Sequence, residues 1–205
     1  TVFFVRQFTS VLDSCEPRST MVNFYTNGGA GAVTGQWGSR VRATKRVIVK
    51  SVEIIPSNAS ASPTTPVAGT VNVGIYDLGG NLVGSSGVQN IDILNSNSAS
   101  ASALPSRVPM GILLPPGDYD VRLISLSSSV TNVEYAQNAT GTNFQPQFTP
   151  SGSFGVLNGQ LGATVYLNYN FTFWNFVVEE GCWGAPTPDT VKYQAPPVLT
   201  LSRRL

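Results

Sequence analysis

The longest regular alternation in the chain lies within residues 162–182. Val165, Leu167, Tyr169, Phe171 and Phe173 fall on one side of a period-two ribbon, and Asn168, Asn170 and Thr172 on the other. That spacing predicts a long β-strand over 162–173 with Leu167, Phe171 and Phe173 in a core. After Phe173 the phase slips. Asn175 stands where an apolar residue is due, and Trp174, Phe176 and Val178 take the opposite parity. A β-bulge produces such a slip, as does a strand that leaves one sheet for another. These aromatics read first as core, and a ring platform for a sugar is the sharper alternative.

Shorter strands precede it. The pattern predicts strands at 3–8 and 19–25, separated by a loop at 11–18, and a glycine-rich break at 27–31. Val41, Val47, Ile48 and Val49 interleave with Arg40, Arg42, Lys45, Arg46 and Lys50, which predicts a strand with a solvated basic face; a nucleic-acid arm is the alternative. Residues 70–76 alternate most cleanly, with Val71, Val73 and Ile75 on the core side. Asp77-Leu78-Gly79-Gly80-Asn81 then supplies a hairpin turn into a return strand at Leu82-Val83. Strands follow at 89–94 and, beyond the turn Pro115-Pro116-Gly117-Asp118, at Tyr119-x-Val121-x-Leu123, with Asp120 and Arg122 outward. Residues 138–152 are irregular, with Phe144 and Phe148 as plugs at a core edge. No helical spacing persists for three turns. Short strands between frequent turn signals predict an all-β fold, a jelly-roll-like β-sandwich.

Composition narrows the class. Only 11% of the 205 residues are charged, against roughly a quarter in an ordinary domain, while 41% are hydrophobic. Uncharged polar side chains in place of charged ones suit an extracellular surface protein or a viral shell. The net charge of +1 supplies no general attraction to nucleic acid or membrane. No apolar run approaches the ~20 residues of a spanning helix. The first residues already look like mid-strand, so the chain is expected to be an internal or mature piece of something longer.

Candidate chemistry is sparse. With no histidine, the usual triads and histidine zinc sites are excluded. Asp77, Asp92, Asp118, Asp120, Glu179 and Glu180 are the carboxylates available for an acid–base pair, but most fall at turns or on solvent faces. No cofactor is implied; no EF-hand-like spacing occurs, and calcium in a carboxylate-lined loop is the alternative that stays open. Trp37, Tyr135, Asn138 and Trp183 are the aromatics and amides that a glycan-binding sandwich would use. Asn58-Ala59-Ser60, Asn138-Ala139-Thr140 and Asn170-Phe171-Thr172 match the N-glycan acceptor pattern, the third in mid-strand and so expected to stay bare.

The two ends of the chain echo each other. Phe4-Val5-Arg6-Gln7 precedes Cys15-Glu16-Pro17-Arg18, and Phe176-Val177-Val178-Glu179-Glu180 precedes Cys182. The order of motifs also carries a resemblance. Val52-Glu53-Ile54-Ile55-Pro56, Val71-Asn72-Val73-Gly74-Ile75-Tyr76-Asp77, Leu114-Pro115-Pro116-Gly117-Asp118-Tyr119 and Tyr169-Asn170-Phe171-Thr172-Phe173-Trp174-Asn175-Phe176, running into Cys182, follow in sequence. This order resembles the extracellular repeat modules of very large type IX-secreted surface proteins of Bacteroidota, such as the gliding adhesins of flavobacteria. In that family an aromatic-rich strand leads into a Cys-x-Ser-Pro-Arg-like turn. Cys15-Glu16-Pro17-Arg18-Ser19 is a shortened form, and Cys182-Trp183-Gly184-Ala185-Pro186-Thr187 lacks the arginine.

The resemblance implies three segments. Residues 1–30 would be terminal strands of a preceding immunoglobulin-like unit, 31–178 a jelly-roll-like sandwich, and 179–205 a linker or the start of the next unit. It further implies a non-catalytic structural repeat of a cell-surface adhesin or filament, active in adhesion and gliding motility. Its partners would be neighbouring repeats and surface glycans. Asp189-Thr190-Val191 resembles the O-glycosylation pattern of the same bacteria, with Thr190 as acceptor. If the end motifs are copies, Cys15 and Cys182 lie a module apart, on the order of 30–50 Å. A disulfide needs Cα atoms within about 7 Å, so no bridge is expected and the two ends should leave from opposite poles. A glycan-binding module and a viral capsid jelly roll are the alternatives.

Overall fold

The computed structural model describes residues 2–5, 8–14, 37–96, 103–133, 136–137, 146–149, 151–161, 164–166, 169–170, 173–183 and 187–190. Every regular element among them is a β-strand. The chain runs β1 (Val2–Val5), β2 (Phe8–Ser14), β3 (Trp37–Ala43), β4 (Val47–Ile54), β5 (Pro56–Ser57), β6 (Val67–Asp77), β7 (Leu82–Ser85), β8 (Gln89–Ile93) and β9 (Ser106–Leu114). It continues with β10 (Gly117–Leu126), β11 (Asn132–Val133), β12 (Ala136–Gln137), β13 (Gln147–Phe148), β14 (Phe154–Leu161), β15 (Thr164–Tyr166), β16 (Tyr169–Asn170), β17 (Trp174–Trp183) and β18 (Thr187–Thr190).

Two sheets make the core. The larger has the order β13-β14-β3-β10-β6-β7, with β15 added to β14 and β8 to β6; the smaller has the order β2-β17-β4-β9. The chain crosses between them repeatedly, consistent with the expected β-sandwich. From the larger sheet Val41, Val71, Val73, Ile75, Val121, Leu123 and Phe154 point inward; from the smaller come Val47, Val49, Val52, Ile54, Val108, Leu114, Phe176 and Val178. All are buried. Phe154 and Phe176 meet across the middle, ring centroids 5.3 Å apart at 47°.

Two strands of the smaller sheet change phase to keep this face apolar. In β4 the register against β9 shifts between Val49 and Ser51, and the inward parity passes from Val47 and Val49 to Val52 and Ile54. In β17 the register against β4 shifts at Trp174/Val177 and again at Val177/Val178. Asn175, with φ of 42°, reverses the parity between Phe173 and Phe176, both fully buried. Asparagine tolerates this left-handed conformation better than most side chains. The phase slip anticipated after Phe173 is therefore present, as a register irregularity in β17.

Several expectations are corrected. Residues 162–173 do not form one strand: β15 pairs with β14, β16 with β12, and β17 with β4. An unbroken strand of that length would run about 40 Å, and the chain instead changes partners twice. Leu167 and Phe171 lie outside the described residues. The loop expected at 11–18 is strand as far as Ser14, because β2 lies on β17 in the smaller sheet. β9 and β14 were not anticipated. Phe148 is not a core plug; it is 41% exposed and lies over Gly155 on the neighbouring strand. A Cβ at Gly155 would come within 2.5 Å of its ring.

The chain divides into two compact units, Ser10–Gly181 and a smaller one built from Thr1–Thr9 and Cys182–Leu205. The expected segment 1–30 is thus split between them, and the boundary expected at 27–31 lies outside the described residues. Within the smaller unit β1 pairs antiparallel with β18, Val2 opposite Thr190 and Val5 opposite Thr187. Val2–Val5 and Thr187–Thr190 therefore lie side by side, against the expectation that the two end segments stand a module apart. The pairing satisfies those backbone N–H and C=O groups of each segment that face the other. Cys15 lies outside the described residues, and Cys182 is in β17.

Phe154→Ala and Phe176→Ala are each expected to cost about 3–5 kcal/mol in urea unfolding. The double variant should show a coupling of about 0.5–1.5 kcal/mol. Strict additivity of the two losses would mean that the rings do not support each other.

Candidate functional site

The polar parity of the larger sheet faces outward, and there the register places opposite charges directly across strands. Asp118 on β10 is the register partner of Arg42 on β3, and Asp120 of Arg40. Arg42 donates twice to Asp118, from Nε at 2.6 Å and from a terminal nitrogen at 2.8 Å. Arg40 Nε reaches Asp120 Oδ1 at 3.0 Å, and Arg122 reaches Asp120 Oδ2 at 2.8 Å. The Asp120 side chain is only 3% exposed, so two guanidinium groups compensate one buried carboxylate. Arg122 also lies over the Tyr76 ring, 5.3 Å from its centroid. Room for it comes from Gly38, its register partner on β3. A Cβ at Gly38 would stand 2.1 Å from the Val121 carbonyl oxygen.

The smaller sheet repeats the theme. Lys45 pairs with Glu180 at 3.5 Å and Lys50 with Glu179 at 3.1 Å. Glu53, itself buried, accepts from Arg107 at 3.1 Å through one oxygen and from the Asn175 amide through the other. The basic cluster read from the sequence is therefore matched: Arg40, Arg42, Lys45 and Lys50 each face a carboxylate. Asp77 belongs to its turn, accepting from the backbone and amide of Asn81 at 2.8 and 2.9 Å.

Three carboxyls are held below the ordinary range. Arg42's hydrogen bonds do this for Asp118, the amide and N–H of Asn81 for Asp77, and the hydroxyls of Ser151 and Ser153, with Lys45, for Glu180. Tyr119 is pushed up by burial and by Asp77. Its hydroxyl donates to the Pro115 carbonyl at 2.8 Å, which pins the turn ahead of β10.

Of the sequence-predicted ligand residues, two fall on described strands. Trp37 opens β3, and Trp183 closes β17. Tyr135 and Asn138 lie outside the described residues. Among the glycan acceptors, Asn58 is half-buried, with its amide nitrogen donating to the Ser129 carbonyl at 2.7 Å and its oxygen accepting from the Ser60 N–H at 2.8 Å. The acceptor nitrogen of that pattern is thus used inside the fold. Asn170 is the second residue of the two-residue β16, not the middle of the single long strand expected, and Thr190 ends β18. Of the structural candidates, Phe173 is buried and Trp174 begins β17.

What the sequence reading missed is a polar seam where β8, at the edge of the larger sheet, meets β9, at the edge of the smaller. A cavity of about 310 Å³ opens there, lined by Asn90, Asp92, Ser106 and Arg107 with Leu94 and Pro105. The alternation Asn90-Ile91-Asp92-Ile93 signalled half of it. The other half depended on β9, whose apolar parity Val108-x-Met110-x-Ile112-x-Leu114 is masked as a strand signal by Pro109 and Gly111 on the opposite face. Among the described residues no group of three or more potential metal ligands occurs, and no helix is long and apolar enough to cross a membrane. A comparison with family models finds no match, and one with curated proteins finds none either.

Two outcomes follow from these charges. A carboxyl whose folded pKa is depressed contributes stability that is present above its unfolded value and lost as pH falls through the folded value. The urea midpoint should therefore stay level from pH 7 to about 5 and drop below about pH 4. Asp118→Asn should shallow that drop, and an unchanged acid limb would remove Asp118 from the account. Asp120→Ala leaves Arg40 and Arg122 uncompensated and should cost about 3 kcal/mol, the low end for a broken buried pair.

Proposed function

We propose that the chain is a non-catalytic structural module of a large extracellular surface protein, an adhesin of the kind its motif order resembles. The observation that carries this reading is the matching of charges. Asp118, Asp120, Glu53, Glu179 and Glu180 are each paired with an arginine or lysine, most of them on a neighbouring strand. Carboxylates held in this way stabilise a sheet surface and are not disposed for proton transfer between two acids. The same pairing weakens the capsid alternative, whose basic cluster would have to stay free for nucleic acid.

The pairing of β1 with β18 weighs against the tandem-repeat form of the adhesin reading, which required the two end segments to stand a module apart. The larger unit is inserted in sequence between the two halves of the smaller one. Antibodies raised against the 205-residue chain should label intact cells of the source organism, and protease treatment of those cells should remove the signal. Label seen only after lysis would overturn the proposal.

A further inference from the structure

The seam between β8 and β9 is a built cleft. Ser106 Oγ donates to the Asp92 carbonyl at 2.6 Å and so ties one strand to the other. Just beyond, the buried Asn95 donates to the carbonyls of Pro56 at 2.9 Å and Leu104 at 2.8 Å, and accepts from the Leu104 N–H at 2.7 Å. Asn95, just past β8, and Leu104, just ahead of β9, are thereby tied together, and the cleft is present before any ligand arrives. Preformed sites of this kind avoid the ordering cost of binding.

Its polar groups are of two sorts. Arg107 is spoken for, because Glu53 neutralises it at 3.1 Å and the Asn175 amide holds Glu53 in turn. Asp92 is exposed, and its carboxylate has no hydrogen bond or ion pair among the described residues. Asn90 stands two residues earlier on the same side of β8, about 7 Å away, with its amide equally uncommitted. The cleft therefore presents one unbalanced carboxylate, an amide that both accepts and donates, and the remaining N–H groups of an arginine already neutralised.

These facts select the ligand chemistry. An anion is disfavoured, since the net charge is that of Asp92. A divalent cation needs several oxygen ligands of charge, and one carboxylate does not supply them. A carboxylate flanked by an amide suits adjacent hydroxyls, two of which can donate to its two oxygens while the amide and guanidinium donate to the others. About 310 Å³ is at the small end for a ligand pocket, the size for a single ring. We propose that this seam binds a neutral polyhydroxylated ligand, the chemistry of an uncharged glycan residue, with Asp92 as acceptor and Asn90 and Arg107 as donors. The inference goes beyond a structural role and stands whether or not the chain belongs to a surface protein.

The test is a titration of the isotope-labelled 205-residue chain with methyl glycosides of glucose, galactose and mannose, followed by amide resonances. At least one should shift the signals of Asn90, Asp92, Ser106 and Arg107 with a millimolar Kd. Asp92→Asn, an isosteric change at an exposed site, should weaken it about tenfold or more, the loss of one charge-assisted hydrogen bond. Unmoved signals elsewhere in the variant verify its fold. The proposal is overturned if no glycoside perturbs these residues, or if Asp92→Asn binds as well as the parent. It is overturned equally if glucuronate or inorganic phosphate binds there more tightly, or if methylammonium alone does.

Discussion

Two sheets can share one core only while every strand keeps its apolar parity turned inward. In this protein two strands of the smaller sheet manage that only by slipping. The sequence of β4 is apolar at Val47 and Val49 and then at Val52 and Ile54, so a regular strand would carry half of its apolar side chains into water. The same holds from Phe173 to Phe176. One bulge and one asparagine with positive φ convert these broken patterns into a continuous inner face. The Phe154–Phe176 contact, which joins the sheets at mid-core, depends on the second of them.

Turning the apolar parity inward also fixes what remains outside. On the larger sheet the outward positions of β3 and β10 are arginine and aspartate, and the antiparallel register sets them opposite one another. Low overall charge and strong local pairing are thus compatible: the few charges present are used across strands. The arrangement around Asp120 goes further, since a nearly inaccessible carboxylate requires both guanidinium groups to stay charged in the fold.

A sandwich also has seams, where the edge of one sheet meets the edge of the other. At such places the backbone is only partly paired, and side chains complete the structure. Here Ser106 and Asn95 do so between β8 and β9, and Asn90 and Asp92, whose side chains are not consumed among the described residues, are left facing a cleft. A site of this type arises from the closure of the core rather than from a motif.

Much of the architecture was legible in the order of residues, because period two is a local property. The hairpin from Val71 to Val83, the β8 strand, the inward set Tyr119, Val121 and Leu123, and the phase slip after Phe173 could all be read directly. Partner choice could not. Residues 164–170 alternate as though in one strand, yet they divide between two sheets, since alternation states which face is apolar and not which neighbour supplies the hydrogen bonds. For the same reason the basic residues looked free until the register set Asp118 and Asp120 across from them, and the two ends looked distant until β1 met β18. The cleft was least legible of all: Asp92 and Arg107 are joined by no spacing in the chain, and only the meeting of two sheet edges brings them together.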